Sequence, residues 1–480
     1  MADSRNYSLK QLTKIQLKVA RQSRTIMFLM STLVSILLVF ALRDPEFTRT
    51  QDYVLFLLFF AIGLWVTEAI PPFAVGILIV GFLVFTMGQE NTMDAKRYVQ
   101  TWSDGVIWLF LGGFFLAEGM KKTKLDYALL KIAAPKLGNQ AQYIVLGLMM
   151  ITAVISMLMS NTATTAMMIA TVSPLFVNLG NESKISKVLL LGIPAAAAIG
   201  GMGTIIGSAP NAIAVGALEG IGIKISFIEW MMVGGPVAIL LTFLFWRVLI
   251  SKYKIKKETL SLDFLFANNE SSIVEEEFVE EEKIRKRIVL SVLVITLLLW
   301  LTSQWTMIPV AAVSGIPIVG LTMLGIIDAD DVRALPWDTL MLVAGGLALG
   351  LAIQEQGLAD YFISNIRDVE INFYVMLFLF SIVTVTLSNF MSNTAATTIL
   401  IPVAISLTSI ASDIDPETLP IVIGLSASCA LLLPVSTPPN AIAFSTGLIK
   451  QSEFQLGGFF VGLVGPILII LWTLLISLLI

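Results

Sequence analysis

The residues best suited to chemistry form an uncharged triplet that occurs twice, as Ser160-Asn161-Thr162 and as Ser392-Asn393-Thr394. Each copy follows a methionine, precedes an alanine and lies in the middle of a long apolar run. Polar groups at such a position are costly in lipid unless protein, water or a ligand satisfies them. The occurrence of that cost in two matching places predicts a binding site built from two related halves.

The composition places these triplets in a membrane protein. Hydrophobic residues make up 56% of the chain and charged residues only 13%, with a mean hydropathy of +0.87. A soluble domain carries roughly 25% charged residues, and several apolar runs are long enough for helices that cross a bilayer. The short alternating segments that are typical of a β-barrel do not occur. The sequence therefore predicts an all-α polytopic membrane protein.

Residue types that are absent or rare exclude several kinds of chemistry. The chain has no histidine, which removes His–metal sites, Ser–His triads and histidine proton relays. The single cysteine, Cys429, excludes an internal disulfide and a cysteine-based metal cluster. The net charge of −4 gives no indication of nucleic acid as a partner. An intramembrane enzyme and an open channel are therefore the weaker alternatives.

Basic residues and apolar runs predict the order of the spans in the first half. Residues 1–24 are interpreted as a cytoplasmic, basic amphipathic segment, because positive residues favour the cytoplasmic side. Residues 25–51 contain a first transmembrane helix and its loop, with no signal-peptide cleavage site. The first repeat, residues 52–251, has five crossings, the fourth of them a broken helix at 188–218, and a re-entrant hairpin at 142–178.

The second half repeats the first after a charged segment. Residues 252–287 are predicted to be a solvated cytoplasmic linker. The second repeat, residues 288–480, has its hairpin at 373–411 and its broken helix at 419–446. Because five crossings is an odd number, the second copy must be inverted relative to the first. The prediction is eleven transmembrane helices plus two re-entrant hairpins, with the N-terminus in the cytoplasm and the C-terminus outside.

The hairpin tips and the broken helices can supply ligands for a cation and for an anion. Oxygens of carbonyl and hydroxyl groups suit a small hard cation, whereas amide and N–H donors at helix starts suit a carboxylate. No Lys, Arg or His lies within several residues of the two triplets or of the breaks at 203–211 and 436–440. A dianion there would face neutral donors only, and co-bound cations are the simplest remedy. Acidic side chains are missing as well, which favours sodium over proton coupling.

At these residues the chain resembles the divalent anion/sodium symporter family, and the resemblance covers nearly the whole chain. The paired Ser-Asn-Thr motifs carry it, together with the stretch that begins at Pro210 and recurs letter for letter from Pro439 to Ala443. The resemblance implies a bacterial inner-membrane protein that forms a homodimer. It also implies a scaffold domain that holds the dimer contact and a transport domain that moves as a rigid body in an elevator cycle.

The same resemblance implies two sodium sites and a substrate site. The sodium ligands are Ser156, Asn161 and Gly207 in the first half and Ser388, Asn393 and Ser436 in the second. Ser388 stands where threonine is expected, and it keeps the hydroxyl group. The residues expected to meet the substrate carboxylates are Ser160, Asn161, Thr162, Ser208, Ser392, Asn393, Thr394, Thr437 and Pro438.

The leading hypothesis is a secondary active transporter that imports C4-dicarboxylates such as succinate, malate and fumarate together with sodium. One alternative is a sodium-independent dicarboxylate exchanger, which would normally need a fixed cation near the site. Another is a carrier of a different divalent anion, such as citrate or sulfate, or of arsenite. The expected partners are the dicarboxylate substrate, Na⁺, membrane lipid and a second copy of the chain.

Overall fold

The computed structural model describes residues 2–88, 92–180, 183–255, 259–260, 276–358, 361, 372–408 and 415–478. Within these ranges the chain consists of helices and turns, with one isolated bridge between Gln140 and Thr259. Eight of the described helices are long and apolar enough to span a membrane, and five shorter apolar helices accompany them. The predicted class, an all-α polytopic membrane protein, is therefore confirmed.

The helices are numbered here in chain order, and the first eleven belong to the N-terminal half. Two short 3₁₀ turns, Gly201–Gly203 and Ile205–Gly207, separate α9 from α10. The helices are α1 (Ala2–Leu42), α2 (Arg49–Thr67), α3 (Pro72–Met87), α4 (Thr92–Gln100), α5 (Gly105–Lys122), α6 (Leu125–Ala133), α7 (Ala141–Ser156), α8 (Asn161–Leu179), α9 (Lys184–Gly200), α10 (Ala209–Gly220) and α11 (Phe227–Tyr253).

Ten of the described helices belong to the C-terminal half. A 3₁₀ turn at Ala427–Cys429 and an irregular segment separate α19 from α20, at the position of the break between α9 and α10. The helices are α12 (Glu276–Leu301), α13 (Ser303–Thr306), α14 (Val310–Met323), α15 (Ala329–Arg333), α16 (Trp337–Glu355), α17 (Phe373–Phe390), α18 (Asn393–Thr408), α19 (Thr418–Ser426), α20 (Pro438–Ser445) and α21 (Phe454–Ser477).

One compact unit comprises Met1–Trp102 and Met341–Arg367. In it α1 packs against α2, α2 against α3, and α3 against α4. The backbones of α3 and α16 touch, because a Cβ atom at Gly76 would lie 2.5 Å from the carbonyl oxygen of Met341. Small residues of this kind let membrane helices approach closely.

The other compact unit comprises Ser103–Leu340 and Asp368–Ile480 and contains both hairpins and both breaks. Its core is α9, since 94% of the most apolar 18-residue window of Lys184–Gly203 is buried. Helices α7, α8 and α11 pack against α9, and α11 also packs against α21. Apolar side chains and small alanines therefore fill the centre of this unit, and the polar triplets lie at the hairpin tips.

Some predictions about topology are not tested by these helices. Helix α17 is long enough to cross a membrane, yet it is also the first arm of the predicted second hairpin. Length and composition therefore do not distinguish a span from a hairpin arm, and the count of eleven spans and the inversion stay predictions. Residues 256–258 and 261–275 of the predicted linker, residues 409–411 of the second hairpin and the C-terminal residues 479–480 lie outside the described residues.

Candidate functional site

The first triplet forms the turn between α7 and α8. Helix α7 ends at Ser156 and α8 begins at Asn161, where the Ser160 hydroxyl accepts a hydrogen bond from the Ala163 amide over 3.2 Å. This is the N-cap role that serine commonly fills. Ser156 is buried, and its Oγ lies 2.7 Å from Asn161 Oδ1 and 2.8 Å from the carbonyl oxygen of Ala197. A hydroxyl has one proton, so three oxygens converge here on a single donor.

Two glycines of the first break allow the Asn161 side chain to approach the backbone. A Cβ atom at Gly201 would lie 2.6 Å from Asn161 Oδ1 and 3.0 Å from the Gly207 carbonyl oxygen. A Cβ atom at Gly207 would in turn lie 2.6 Å from the Gly201 carbonyl oxygen. The structure thus brings together Ser156, Asn161 and Gly207, the residues predicted for the first sodium site.

Hydrogen bonds fasten this break to the hairpin. Asn211 Nδ2 donates to the carbonyl oxygens of Gly201 over 2.8 Å and Thr204 over 2.7 Å. The Thr204 hydroxyl donates to the Met157 carbonyl oxygen at the end of α7. These bonds satisfy backbone carbonyls that a continuous helix would otherwise use. The irregular backbone is therefore held in one conformation inside protein, as a break at membrane depth requires.

The second triplet has the same N-cap as the first, but its buried oxygens are not hydrogen-bonded in the same way. Helix α18 begins at Asn393, and the Ser392 hydroxyl accepts a hydrogen bond from the Ala395 amide over 3.1 Å. Ser388 Oγ and Asn393 Oδ1 are buried and have no hydrogen-bond partner among the described residues. A buried oxygen without a partner is unfavourable, so these two atoms are candidates for binding a ligand.

A residue that the sequence analysis missed, Asn389, holds the second break. Its Oδ1 accepts from the Leu432 amide over 2.8 Å and lies 3.0 Å from Ser436 Oγ, which also accepts from the Leu433 amide over 3.0 Å. Asn389 Nδ2 donates to the Val385 carbonyl oxygen over 2.8 Å. Asn389 is the single carboxamide side chain of α17 and lies in its last turn, which was the available signal for this role.

The residues predicted for the second sodium site therefore lack the hydrogen bond that links Ser156 and Asn161 in the first. The Ser436 hydroxyl is engaged by Asn389 and by a backbone amide, whereas Ser388 Oγ and Asn393 Oδ1 remain without partners in the described part of the chain. Any contribution of Ser436 to a bound ion is left to its carbonyl oxygen.

The residues predicted to meet the substrate differ in accessibility. Ser160, Thr162, Ser392 and Pro438 are exposed, and Thr437 is buried, with its hydroxyl accepting from the Asn440 amide as the N-cap of α20. The remaining four are half-buried: Asn161, Ser208, Asn393 and Thr394. The exposed members lie at starts of helices, where N–H groups and the positive end of the helix dipole face outward.

Helices from the two halves of the chain pack against each other around these residues. The second arm of the first hairpin, α8, packs against α20, which follows the second break. The second arm of the other hairpin, α18, packs against α10, which follows the first break. Each hairpin therefore packs, through its second arm, against the helix that follows the break of the opposite half.

Carboxylates contribute nothing to a cation site in this region. Throughout the described ranges, no group of three or more His, Cys, Asp or Glu residues could hold a metal ion. The groups that the two triplets and the two breaks offer to a cation are hydroxyl, amide and carbonyl oxygens. A cavity of about 600 Å³, including its open mouth, lies elsewhere, at the ends of α11, α19 and α21; none of the predicted site residues lines it.

Comparisons with known proteins show the family of this chain. The family model for the sodium:sulfate symporter transmembrane region matches residues 23–479. A sodium-dependent dicarboxylate transporter, SdcS, from Staphylococcus saprophyticus is 31% identical over 85% of this chain and 82% of its own length. The SdcS of Staphylococcus aureus is 29% identical over 87% of this chain and 84% of its own. An uncharacterized transporter from Haemophilus influenzae is 34% identical over 86% and 89%.

Two solved structures share the fold at low sequence identity. The Neisseria gonorrhoeae MtrF structure aligns with a TM-score of 0.57 at 10% identity, over 86% of this chain and 96% of its own. The Alcanivorax borkumensis YdaH transporter aligns with a TM-score of 0.54 at 12% identity, over 85% and 98%. At such identities the likeness concerns the fold alone. The match of the family model over nearly the whole chain shows that this protein, a transporter and not an enzyme, belongs to the sodium:sulfate symporter family, the divalent anion/sodium symporters.

Proposed function

We propose that the protein imports C4-dicarboxylates such as succinate, malate and fumarate, and that sodium ions bound at the hairpin tips drive the import. The observation that carries the proposal is the pair of buried oxygens, Ser388 Oγ and Asn393 Oδ1, without hydrogen-bond partners in the described chain. An amide oxygen can only accept a hydrogen bond or bind a cation. With no acidic side chain in the triplet, a small monovalent cation held by neutral oxygens is the fitting ligand.

The first sodium ion would bind Ser156, Asn161 and the Gly207 carbonyl. Ser156 Oγ lies 2.7 Å from Asn161 Oδ1, and a Cβ atom at Gly201 would contact both that oxygen and the Gly207 carbonyl oxygen, which supports a shared site. The second ion would bind Ser388, Asn393 and the Ser436 carbonyl. Broken helices that expose carbonyl oxygens are the usual sodium ligands of transporters built from repeats.

The substrate would bind at the exposed hydroxyl and amide groups beside these ions. Neutral donors alone make a poor site for a dianion, because desolvating two carboxylates costs more than such hydrogen bonds return. Two bound cations would cancel the charge of the substrate, so the site would need no charged side chain. The names of the two SdcS relatives, sodium-dependent dicarboxylate transporters, support both the ion and the substrate class.

The proposed mechanism is an elevator cycle in a homodimer in the bacterial inner membrane. Both hairpins and both breaks belong to one compact unit, which supports their movement as one body. The positive N-terminal segment supports a cytoplasmic N-terminus, and an odd number of spans then leaves the C-terminus outside.

Uptake of radiolabelled succinate into proteoliposomes tests the proposal. An inward sodium gradient should drive accumulation, and replacement of sodium by choline should abolish it. Uptake that is indifferent to sodium would reject the coupling, and counterflow that needs only internal dicarboxylate would support an exchanger instead. A competition panel of C4 to C6 acids with sulfate and arsenite separates the substrate classes. The exposed Ser445→Ala exchange, outside the proposed site, serves as the matched control.

A further inference from the structure

The two hairpin tips differ at the oxygens proposed to bind cations. In the first tip, Ser156 Oγ lies 2.7 Å from Asn161 Oδ1 and 2.8 Å from the Ala197 carbonyl oxygen, and these two acceptors share its single proton. Their equivalents, Ser388 and Asn393, stand at the same spacing in the second tip, and there both atoms are buried without partners in the described chain. A cation entering the first tip must replace a hydrogen bond, whereas a cation entering the second tip replaces none.

The last residue of α19 and the 3₁₀ turn that follows it carry two more oxygens of this kind. Ser426 Oγ and Ser428 Oγ are buried and lack partners within the described ranges. The equivalent positions in the first half, at the spacing of the two Pro-Asn stretches, are Ala197 and Ile199, which have no side-chain oxygen. Helix α17, which carries Ser388, packs against α19 and the following turn. These two oxygens therefore have no counterpart at the equivalent positions of the first half.

The first half has unpartnered oxygens as well, but they are not the proposed ligands. Thr164 Oγ1, Thr165 Oγ1 and Asn211 Oδ1 are buried without partners among the described residues. Asn211 is committed through its Nδ2 to two carbonyl oxygens of the break. The contrast between the halves thus concerns the equivalent pair of proposed ligands. The serine and asparagine oxygens are hydrogen-bonded in the first copy, and they have no partner among the described residues in the second.

Asn389 holds the second break by hydrogen bonds that do not involve Ser388 Oγ or Asn393 Oδ1. It bonds the Leu432 amide and the Ser436 hydroxyl, and thereby fastens the break without Ser388 or Asn393. The equivalent residues in the first half are Met157 and Gly207, which cannot form such a side-chain pair. Asn389 is therefore suited to be a positioning residue for the second ion.

We propose that the two sodium sites are unequal, that the second half binds the tighter ion and fills first, and that Asn389 positions this site. The inference rests on the proposed sodium coupling. A cation that binds the second tip gains ligands that are already free and fixed, so less reorganisation opposes it. The first site fills later, once the Ser156–Asn161 hydrogen bond opens.

Equilibrium binding of radiolabelled sodium to the purified full-length protein, without dicarboxylate, tests the order. We expect a tight and a weak class of sodium. Ser388→Ala should weaken the tight class about tenfold, as the loss of one ligand contact implies. Ser156→Ala, the matched change in the first half, should leave the tight class within about twofold of its original affinity.

Asn389→Met, which copies the residue of the first half, tests the positioning role. It should weaken the tight class several-fold and raise the sodium concentration for half-maximal uptake more than it lowers the maximal rate. Ser436→Gly, which copies Gly207 and removes the partner hydroxyl, should act in the same direction. A merely structural defect would lower the maximal rate and leave the sodium dependence unchanged, which would overturn the role of Asn389.

Other outcomes separate this inference from the proposed function. One class of equal sites, or loss of the tight class in Ser156→Ala with retention in Ser388→Ala, would overturn the inequality while sodium coupling stands. Absence of any saturable sodium binding, with uptake indifferent to sodium, would overturn the proposed function and the inference together.

Discussion

Asn211 and Asn440 hold the two broken helices in the same way, although they lie in different halves of the chain. Asn211 Nδ2 donates to the carbonyl oxygens of Gly201 and Thr204 over 2.8 and 2.7 Å. Asn440 Nδ2 donates to those of Leu433 over 3.0 Å and Leu431 over 3.4 Å. Each asparagine is the third residue of the helix that follows its break, and its side chain reaches back across the break. The repeated Pro-Asn stretch therefore supplies donors for carbonyl groups that the interruption of the helix leaves free.

The first prediction concerns this closure. Asn440→Ala should lower the free energy of unfolding by about 2 kcal/mol, because buried carbonyl oxygens lose their donors. It should also raise the sodium concentration for half-maximal uptake, since the loosened break carries a proposed ligand. Thermal unfolding in detergent and sodium-titrated uptake measure the two effects.

Ser445→Ala is the matched control in the same helix, because its exposed hydroxyl donates only to the Ile442 carbonyl oxygen over 2.8 Å. It should change neither measurement. Wild-type stability and sodium dependence in Asn440→Ala would show that the break does not depend on the asparagine.

A second prediction concerns the close approach of α3 and α16. Gly76→Ala should destabilise the protein by about 1–3 kcal/mol, since the new methyl group would lie 2.5 Å from the Met341 carbonyl oxygen and the backbones would have to move apart. Gly81→Ala, in the same helix with no atom within 4 Å of the added Cβ, should be neutral or stabilise by up to about 1 kcal/mol. Equal unfolding temperatures for the two variants would contradict the contact.

Much of the site could be predicted from sequence because its signals are local. An uncharged Ser-Asn-Thr inside an apolar run marks a place where one helix ends and another begins, and serine before Asn161 and Asn393 is a common N-cap. The structure has helix starts at both residues. Identical Pro-Asn stretches in steady register likewise reveal the two breaks without any knowledge of their packing.

The rest depends on contacts between distant residues, which local patterns do not encode. Asn389 meets Ser436 only because α17 packs against the segment before α20, and nothing near Asn389 in the sequence signals that meeting. The same holds for the hydrogen bond of Ser156 to Asn161 and its absence at Ser388. Those differences follow from small shifts in packing around equivalent residues.

A third prediction concerns the glycine that accommodates Asn161. Gly201→Ala should weaken the sodium dependence of uptake about tenfold or more, because its methyl group would lie 2.6 Å from Asn161 Oδ1 and displace a proposed ligand. Gly220→Ala, in α10 with no atom within 4 Å of the added Cβ, is the matched control. A wild-type sodium titration for Gly201→Ala would remove Asn161 from the proposed first site.

The last prediction concerns the pH dependence of stability and Glu417, which lines the cavity at the start of α19. Burial raises the pKa of Glu417 above its ordinary value of 4.5, and the nearby carboxylates of Asp415 and Glu229 raise it further. A carboxyl whose pKa is higher in the folded state binds its proton more tightly there, so its contribution to stability is fully present below about pH 4.5 and is lost as the pH rises through the folded pKa. The unfolding temperature should therefore fall as the pH rises through this window.

Glu417→Gln should remove that part of the pH dependence, because the neutral amide keeps the shape of the protonated acid and carries no charge at any pH. The variant should melt at a higher temperature than the wild type at neutral pH and at the same temperature near pH 4.5, the ordinary value for this carboxyl. Glu46→Gln, on an exposed residue of the loop before α2, is the control and should leave the profile unchanged. If Glu417→Gln melts below the wild type at neutral pH, the charged carboxylate stabilises the fold and the assigned direction of its pKa shift is wrong.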